Sequence, residues 1–235
     1  MQKQLLTFNN QQFSIYIRDE ADQSVVAEIF KLREYRKAED VIRRAQATII
    51  DVGAHAGFFS LYVRALNPIV PVVAIEPEAN NINLLEQHIK ENNLSGITVV
   101  PGVLVEVSGQ RTLVLSEDSH NHRLDSSGDA PGADNTSEVD AFSFNDLCKN
   151  VEVNEVSLVK LDIEGGEYEV FNGMDEDDFN RIGAIIMEYH AGAHQSPQNL
   201  EQLIREQGFS VQIFPSHFDK TMGFLFARNK KNAIL

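Results

Sequence analysis

The 235 residues carry 35 acidic and 20 basic side chains, a net charge of −15. Such a surface repels phosphate backbones and argues against nucleic acid as the main partner. The single cysteine, Cys148, excludes an internal disulfide and a cysteine-cluster metal site, and it fits a reducing compartment. No apolar run approaches the roughly 20 residues that span a bilayer. The opening MQKQLLTFNNQQF also lacks the basic-then-apolar pattern of a signal peptide, so a cytoplasmic protein is expected. A hydrophobic fraction of 43% can build a real core, most simply one domain with a modest N-terminal addition.

In chain order, residues 5–17 predict two short strands around an Asn/Gln turn. Residues 22–45 place Val25, Val26, Ile29, Phe30, Leu32, Tyr35, Val41 and Ile42 at helical spacing, which predicts one or two helices. The pattern then changes. The apolar runs 47–51, 71–76, 96–100, 156–162 and 184–190 alternate with helical segments, and three of them end in an acid. Runs of this length between helices imply a largely parallel sheet covered on both faces. Residues 198–209 read as a helix with a glycine stop, and 210–214 and 223–229 as a closing pair of strands. The segment 116–138 is polar and rich in Ser, Asp and Gly, and it reads as a functional lid or a disordered loop.

In doubly wound sheets, ligands sit at the carboxyl ends of the strands where the strand order reverses. Asp51, Glu76 and Asp162 end three of the expected strands. The turn Asp51-Val-Gly53-Ala-His55-Ala-Gly57 has glycines where the backbone must turn tightly and approach a ligand. The third glycine of a dinucleotide fingerprint is missing, which weakens the case for a pyrophosphate cradle. An acid just before Gly53 suits a cationic ligand, such as the sulfonium and amino group of S-adenosylmethionine. The plainer alternative is an ordinary turn in which Asp51 caps the next helix. Glu76 can accept both hydroxyls of a ribose, a feature that NAD-linked oxidoreductases share.

The segments IIDVGAHAGFFSLYVRAL, AIEPEANNINLLEQHIKENN, LVKLDIEGGEYEVFNGM and IIMEYH together resemble the FkbM family of S-adenosylmethionine-dependent methyltransferases. His55 stands where that family commonly has Asn, and Ala79 replaces the second proline of its E-P-x-P motif. The K-x-D-x-E-G-x-E motif is complete in Lys160, Asp162, Glu164, Gly165 and Glu167. The resemblance implies an α/β, Rossmann-like class I methyltransferase fold: a mostly parallel seven-stranded sheet with helices on both faces and one antiparallel strand. On that basis residues 1–46 form an N-terminal extension of strands and helix, and 47–235 the methyltransferase domain. The implied activity is methyl transfer, most often to a hydroxyl oxygen of a sugar, a polyketide or a related metabolite. A protein or RNA acceptor is the alternative within the same chemistry, and the acidic charge disfavours RNA.

The resemblance places Asp51, Gly53, His55, Gly57 and Ser60 around the amino-acid part of S-adenosylmethionine, Glu76 on its ribose, and Asn81 near the adenosine. Asp162 and Glu164 fall on the acceptor side, and Lys160 alternates with Leu161 to share a face with Asp162. Glu188 and His190 share a face for the same reason. His190, Asp162 and Glu164 are the candidate general bases. Lys160, Glu188 and His120 are candidate substrate contacts, and Glu167 reads as structural at the start of a helix. Asp162, Glu188 and His190 could also gather around Mg²⁺, although the sequence has no compact metal-ligand spacing.

Overall fold

The computed structural model describes residues 1–114, 123–124, 136–163, 165–191, 196–216 and 221–231. The chain opens with the hairpin β1 (Gln2–Phe8) and β2 (Gln11–Ile17), paired antiparallel from Gln2↔Ile17 to Phe8↔Gln11. Asn9 and Asn10 make its two-residue turn, with φ of 49° and 62°. Both angles are positive, as the tightest hairpin turn demands, and Asn is among the few residues that tolerate them.

The expected helical stretch is broken in the structure. Helix α1 (Glu20–Val26), capped by the Asp19 carboxylate, runs into a π-helical turn at Ala27–Leu32. Arg33 then takes a left-handed conformation with φ of 56°, and a 3₁₀ turn, Glu34–Ala38, leads into α2 (Glu39–Arg44). A non-glycine residue at positive φ cannot continue a right-handed helix, so the chain changes direction at Arg33.

The main sheet is built from β3 (Thr48–Val52), β4 (Val72–Glu76), β5 (Ile97–Pro101), β10 (Val156–Leu161), β11 (Ile182–His190), β12 (Phe209–Pro215) and β13 (Met222–Asn229). Between β5 and β10 lie β6 (Val103–Leu104), β7 (Gly109–Val114), β8 (Arg123–Leu124) and β9 (Thr136–Phe142). The order in the main sheet is β12-β13-β11-β10-β3-β4-β5. Only β13 runs against the others, since it pairs antiparallel with both β11 and β12 while the remaining pairs are parallel. The strand order reverses between β3 and β10, which puts the topological switch beside Asp51.

Alternation along each strand divides the core into two layers. Ile49, Leu158, Ala184, Ile186 and Phe226 face helix α3 (Phe58–Leu66) together with Phe13, Ile15, Tyr35 and Val41 of the N-terminal segment. Ile50, Val52, Val159, Leu161, Ile185 and Met187 face the other layer. That layer is supplied by α5 (Phe144–Asn150), α6 (Glu167–Asn172), α7 (Glu176–Asn180) and α8 (Pro197–Glu206). The N-terminal hairpin and helices therefore share one core with the sheet. Continuing the alternation puts Asp51, Lys160, Asp162, Glu188 and His190 on the side that the N-terminal segment covers.

A second sheet, ordered β6-β9-β7-β8, was not foreseen. Its strands bury few side chains; in β9 only Val139 and Ala141 are buried, so the apolar signal is faint. Within the expected loop 116–138, β8 and the start of β9 are strand, and the rest of the segment lies outside the described residues.

Candidate methyl-transfer site

The carboxyl ends of β3, β4 and β10 lie side by side in the sheet, and each carries an acid. Asp51 is fully buried on β3. Its Oδ2 accepts a hydrogen bond of 3.1 Å from Ser60 Oγ on α3, and its Oδ1 lies 3.3 Å from Lys160 Nζ on β10. The two residues are register partners on adjacent parallel strands. Lys160 also donates to the carbonyl oxygens of Gly53 at 2.9 Å and Val52 at 3.3 Å, and its ammonium lies 3.7 Å from Asp162. Burial opposes the Lys160 charge, but the carboxylates of Asp51 and Asp162 outweigh it and hold the ammonium above its ordinary range. Burial pushes the Asp51 carboxyl up, with Lys160 and the Ser60 hydroxyl pulling the other way. Lys160 thus ties down the turn after β3.

The glycine turn is closely packed. Gly53 has φ of +72°, and a Cβ there would lie 2.0 Å from the carbonyl oxygen of Asp162. Gly57, at φ +80°, starts α3, which has no side-chain cap. Asp51 therefore does not cap this helix; it bonds Ser60 within it.

His55 joins the turn to the N-terminal segment through both backbone and ring. Its N–H donates to Glu76 Oε2 at 2.8 Å, while its ring Nε2 lies 3.0 Å from Arg18 Nη2 and 3.4 Å from Asp22 Oδ1. Glu76 Oε1 accepts from the Asn81 side chain at 3.0 Å and from the Glu78 N–H at 3.1 Å. Burial raises the Glu76 carboxyl above its ordinary range, and these donors oppose the rise. The carboxylate is held in one orientation at the strand end, and Asn81 is its partner in helix α4 (Ala79–Glu91).

Asp162, just past the end of β10, has a side chain that is 32% exposed. Tyr35 donates its hydroxyl to Asp162 Oδ2 at 3.1 Å. Burial, then the charges of Asp162 and Glu188, push the Tyr35 phenol well above its ordinary range, so it stays a donor. Glu34, half-buried beside it, is pushed up to about 7 by burial and by the charges of Glu28 and Asp162. His190 Nδ1 lies 3.4 Å from Glu167 Oε1, and its Nε2 lies 4.0 Å from Glu188. Glu167 is fully buried and accepts from the N–H groups of Gly165 at 3.2 Å and Ile163 at 3.4 Å, so it shapes the turn as well as adjoining His190. Glu164 and His120 lie outside the described residues.

The expected gathering of Asp162, Glu188 and His190 around Mg²⁺ finds no support among the described residues. Among the described residues no three His, Cys, Asp or Glu side chains form a group that could hold a metal ion. Asp162 is drawn toward Tyr35 and Lys160, and His190 toward Glu167.

Sequence reasoning missed Arg18, Asp22, Glu34 and Tyr35. Tyr35 had been counted only as an apolar position of a helix. Asp22 is fully buried in the structure, but among the many acids of 19–40 nothing in the sequence sets it apart.

A strand order with one reversed strand and three strand-end acids around a glycine turn define a class I methyltransferase. Residues 51–211 match the Methyltransferase FkbM domain. The chain belongs to the FkbM family of S-adenosylmethionine-dependent methyltransferases, which displaces the NAD-linked reading. It is 26% identical over 198 residues to the hexuronic acid methyltransferase AglP of Haloferax volcanii, covering 80% of this chain and 76% of that one. It is 24% identical over 183 residues to Methyltransferase 1 of Beauveria bassiana, covering 70% and 73%. Its fold is similar to the fibrillarin pre-rRNA processing protein of Methanococcus jannaschii, with a TM-score of 0.53 at 12% identity, covering 98% of this chain and 84% of that one. No helix among the described residues is long and apolar enough to cross a membrane.

Proposed function

We propose that this enzyme methylates a hydroxyl oxygen of a small molecule, such as a sugar, a polyketide or a related metabolite, in the cytoplasm. One observation carries the reading: Asp51 and Asp162 flank the Lys160 ammonium at the strand ends, and Glu76 ends the neighbouring strand with its charge felt by the same ammonium. Three carboxylates against one cation leave a net negative site, which fits a cationic sulfonium donor. Bound S-adenosylmethionine supplies a methyl group already activated for in-line displacement.

The chain's own residues then bind, orient and move a proton. Asp51, fixed by Ser60 and Lys160, attracts the donor's ammonium. Gly53, His55 and Gly57 let the backbone come close. Glu76, aimed by His55 N–H and Asn81, accepts the ribose hydroxyls. Asp162 faces the acceptor and takes its proton as the methyl group moves. Glu188 and His190 line the acceptor side, with Glu167 holding the imidazole. The acidic surface and the hexuronic acid named for the Haloferax relative both support a small-molecule acceptor over RNA.

Calorimetric titration with S-adenosylmethionine and S-adenosylhomocysteine, with and without Mg²⁺, tests this. Micromolar binding that ignores Mg²⁺ is expected. A folded protein that binds neither would end the methyl-donor reading of the site.

A further inference from the structure

We propose that Tyr35, from the N-terminal segment, is the positioning residue for Asp162 in methyl transfer. The inference rests on the reading of Asp162 as the group facing the acceptor, and it extends the site into a part of the chain outside the FkbM match at residues 51–211.

Three observations lead there. Tyr35 is 3% exposed, yet its hydroxyl reaches out of the core to Asp162 Oδ2 at 3.1 Å, across 127 positions of sequence. Its ring is clamped edge-on by Phe59 at 5.0 Å and by Phe224 at 5.7 Å between ring centres. Phe59 belongs to α3 and Phe224 to β13, so the ring is fixed by the same elements that frame the site. The 3₁₀ turn carrying Tyr35 begins at the left-handed Arg33, which turns the segment toward the strand ends.

The consequence for Asp162 is directional. Its Oδ2 faces Tyr35 and the Lys160 ammonium at 3.7 Å, which leaves Oδ1 for an acceptor hydroxyl. A donated O–H also favours the charged carboxylate. The other charges acting on Asp162 are Glu34 beside Tyr35, Asp51 on β3 and Lys160 on β10. The Tyr35 hydroxyl and the Lys160 ammonium are the two partners that hold Oδ2.

The test uses the full chain saturated with S-adenosylhomocysteine and follows the Asp162 carboxyl carbon by NMR across a pH titration. In Tyr35→Phe, which keeps the ring packing, the Asp162 midpoint should rise by about one unit. The affinity for S-adenosylhomocysteine by calorimetry should change less than about twofold. An unmoved midpoint in a folded variant would overturn the proposal. If the variant does not fold, the unaltered chain answers instead: the Asp162 carboxyl carbon should shift between H₂O and D₂O at neutral pH, as an acceptor of an exchangeable O–H does, and no isotope shift would overturn the proposal. Failure of S-adenosylhomocysteine to bind the unaltered chain would strike the methyl-donor reading itself, a separate result from either of these.

Discussion

Lys160 and Asp51 are register partners on adjacent parallel strands, both buried, with ammonium and carboxylate 3.3 Å apart. The same ammonium donates to the carbonyls of Val52 and Gly53. One side chain therefore neutralises the buried acid and ties down the turn that follows it.

Lys160→Met should remove both effects. A buried Asp51 left with only the Ser60 hydroxyl should cost about 3–5 kcal/mol in urea unfolding, the range for breaking a buried pair. Adding Asp51→Asn should recover much of that loss, because the uncompensated charge is then gone. The pH dependence has a definite sign. Lys160 is held above its ordinary range in the folded chain, so its contribution is complete wherever a free lysine is charged and is lost as pH rises past that range. The alkaline loss should be absent in Lys160→Met. A single variant as stable as the parent would show that the pair does not hold the turn.

Glu34 gives a second pH signature of the same sign, but near neutrality. Its carboxyl is raised to about 7 by burial and by Glu28 and Asp162. A folded value above the unfolded one means that the folded chain binds the proton more tightly. The stability this gives is complete below a glutamate's ordinary range and is lost as pH rises through about 7. Glu34→Gln cannot titrate. It should therefore gain on the parent between pH 5 and pH 8, by roughly 1 kcal/mol after discounting for the solvent on its open side. Equal differences at both pH values in urea unfolding would place Glu34 away from the acids of the site.

Much of this architecture was legible because two signals are local. Apolar runs ending in acids marked β3, β4 and β10, and strand alternation put Lys160 and Asp162 on one face before any coordinates. The glycines of the first turn and the resemblance across residues 48–190 supplied the family. What stayed hidden depends on long-range packing or on weak amphipathicity. Nothing in the spacing of Tyr35 says that its hydroxyl meets Asp162, because that contact needs the chain to turn at Arg33, and positive φ at an arginine has no sequence signature. The strands of the second sheet bury too few side chains to show a period of two. The N–H of His55 reaches Glu76 from a left-handed backbone at φ 50°, a contact that no side-chain pattern announces. Lys160 carries a charge in a motif, and its register with Asp51 shows only in the folded sheet.

The ribose assignment rests on Glu76 and is open to direct measurement. Glu76 is 5% exposed, and its carboxylate receives three donors: His55 N–H, Glu78 N–H and the Asn81 amide. These fix the orientation in advance, so little ordering is left for ligand binding. Glu76→Ala removes the acceptor and leaves buried donors unmatched. Affinity for S-adenosylhomocysteine by calorimetry should fall roughly 10- to 100-fold. Stability should fall by about 1–3 kcal/mol for the orphaned groups. Asn81→Ala separates the two effects: it removes one anchor but keeps the carboxylate, so it should weaken binding by less than the Glu76 change while still lowering stability. If Glu76→Ala binds as tightly as the parent, Glu76 only organises the start of α4, and the ribose must be held elsewhere at the strand ends.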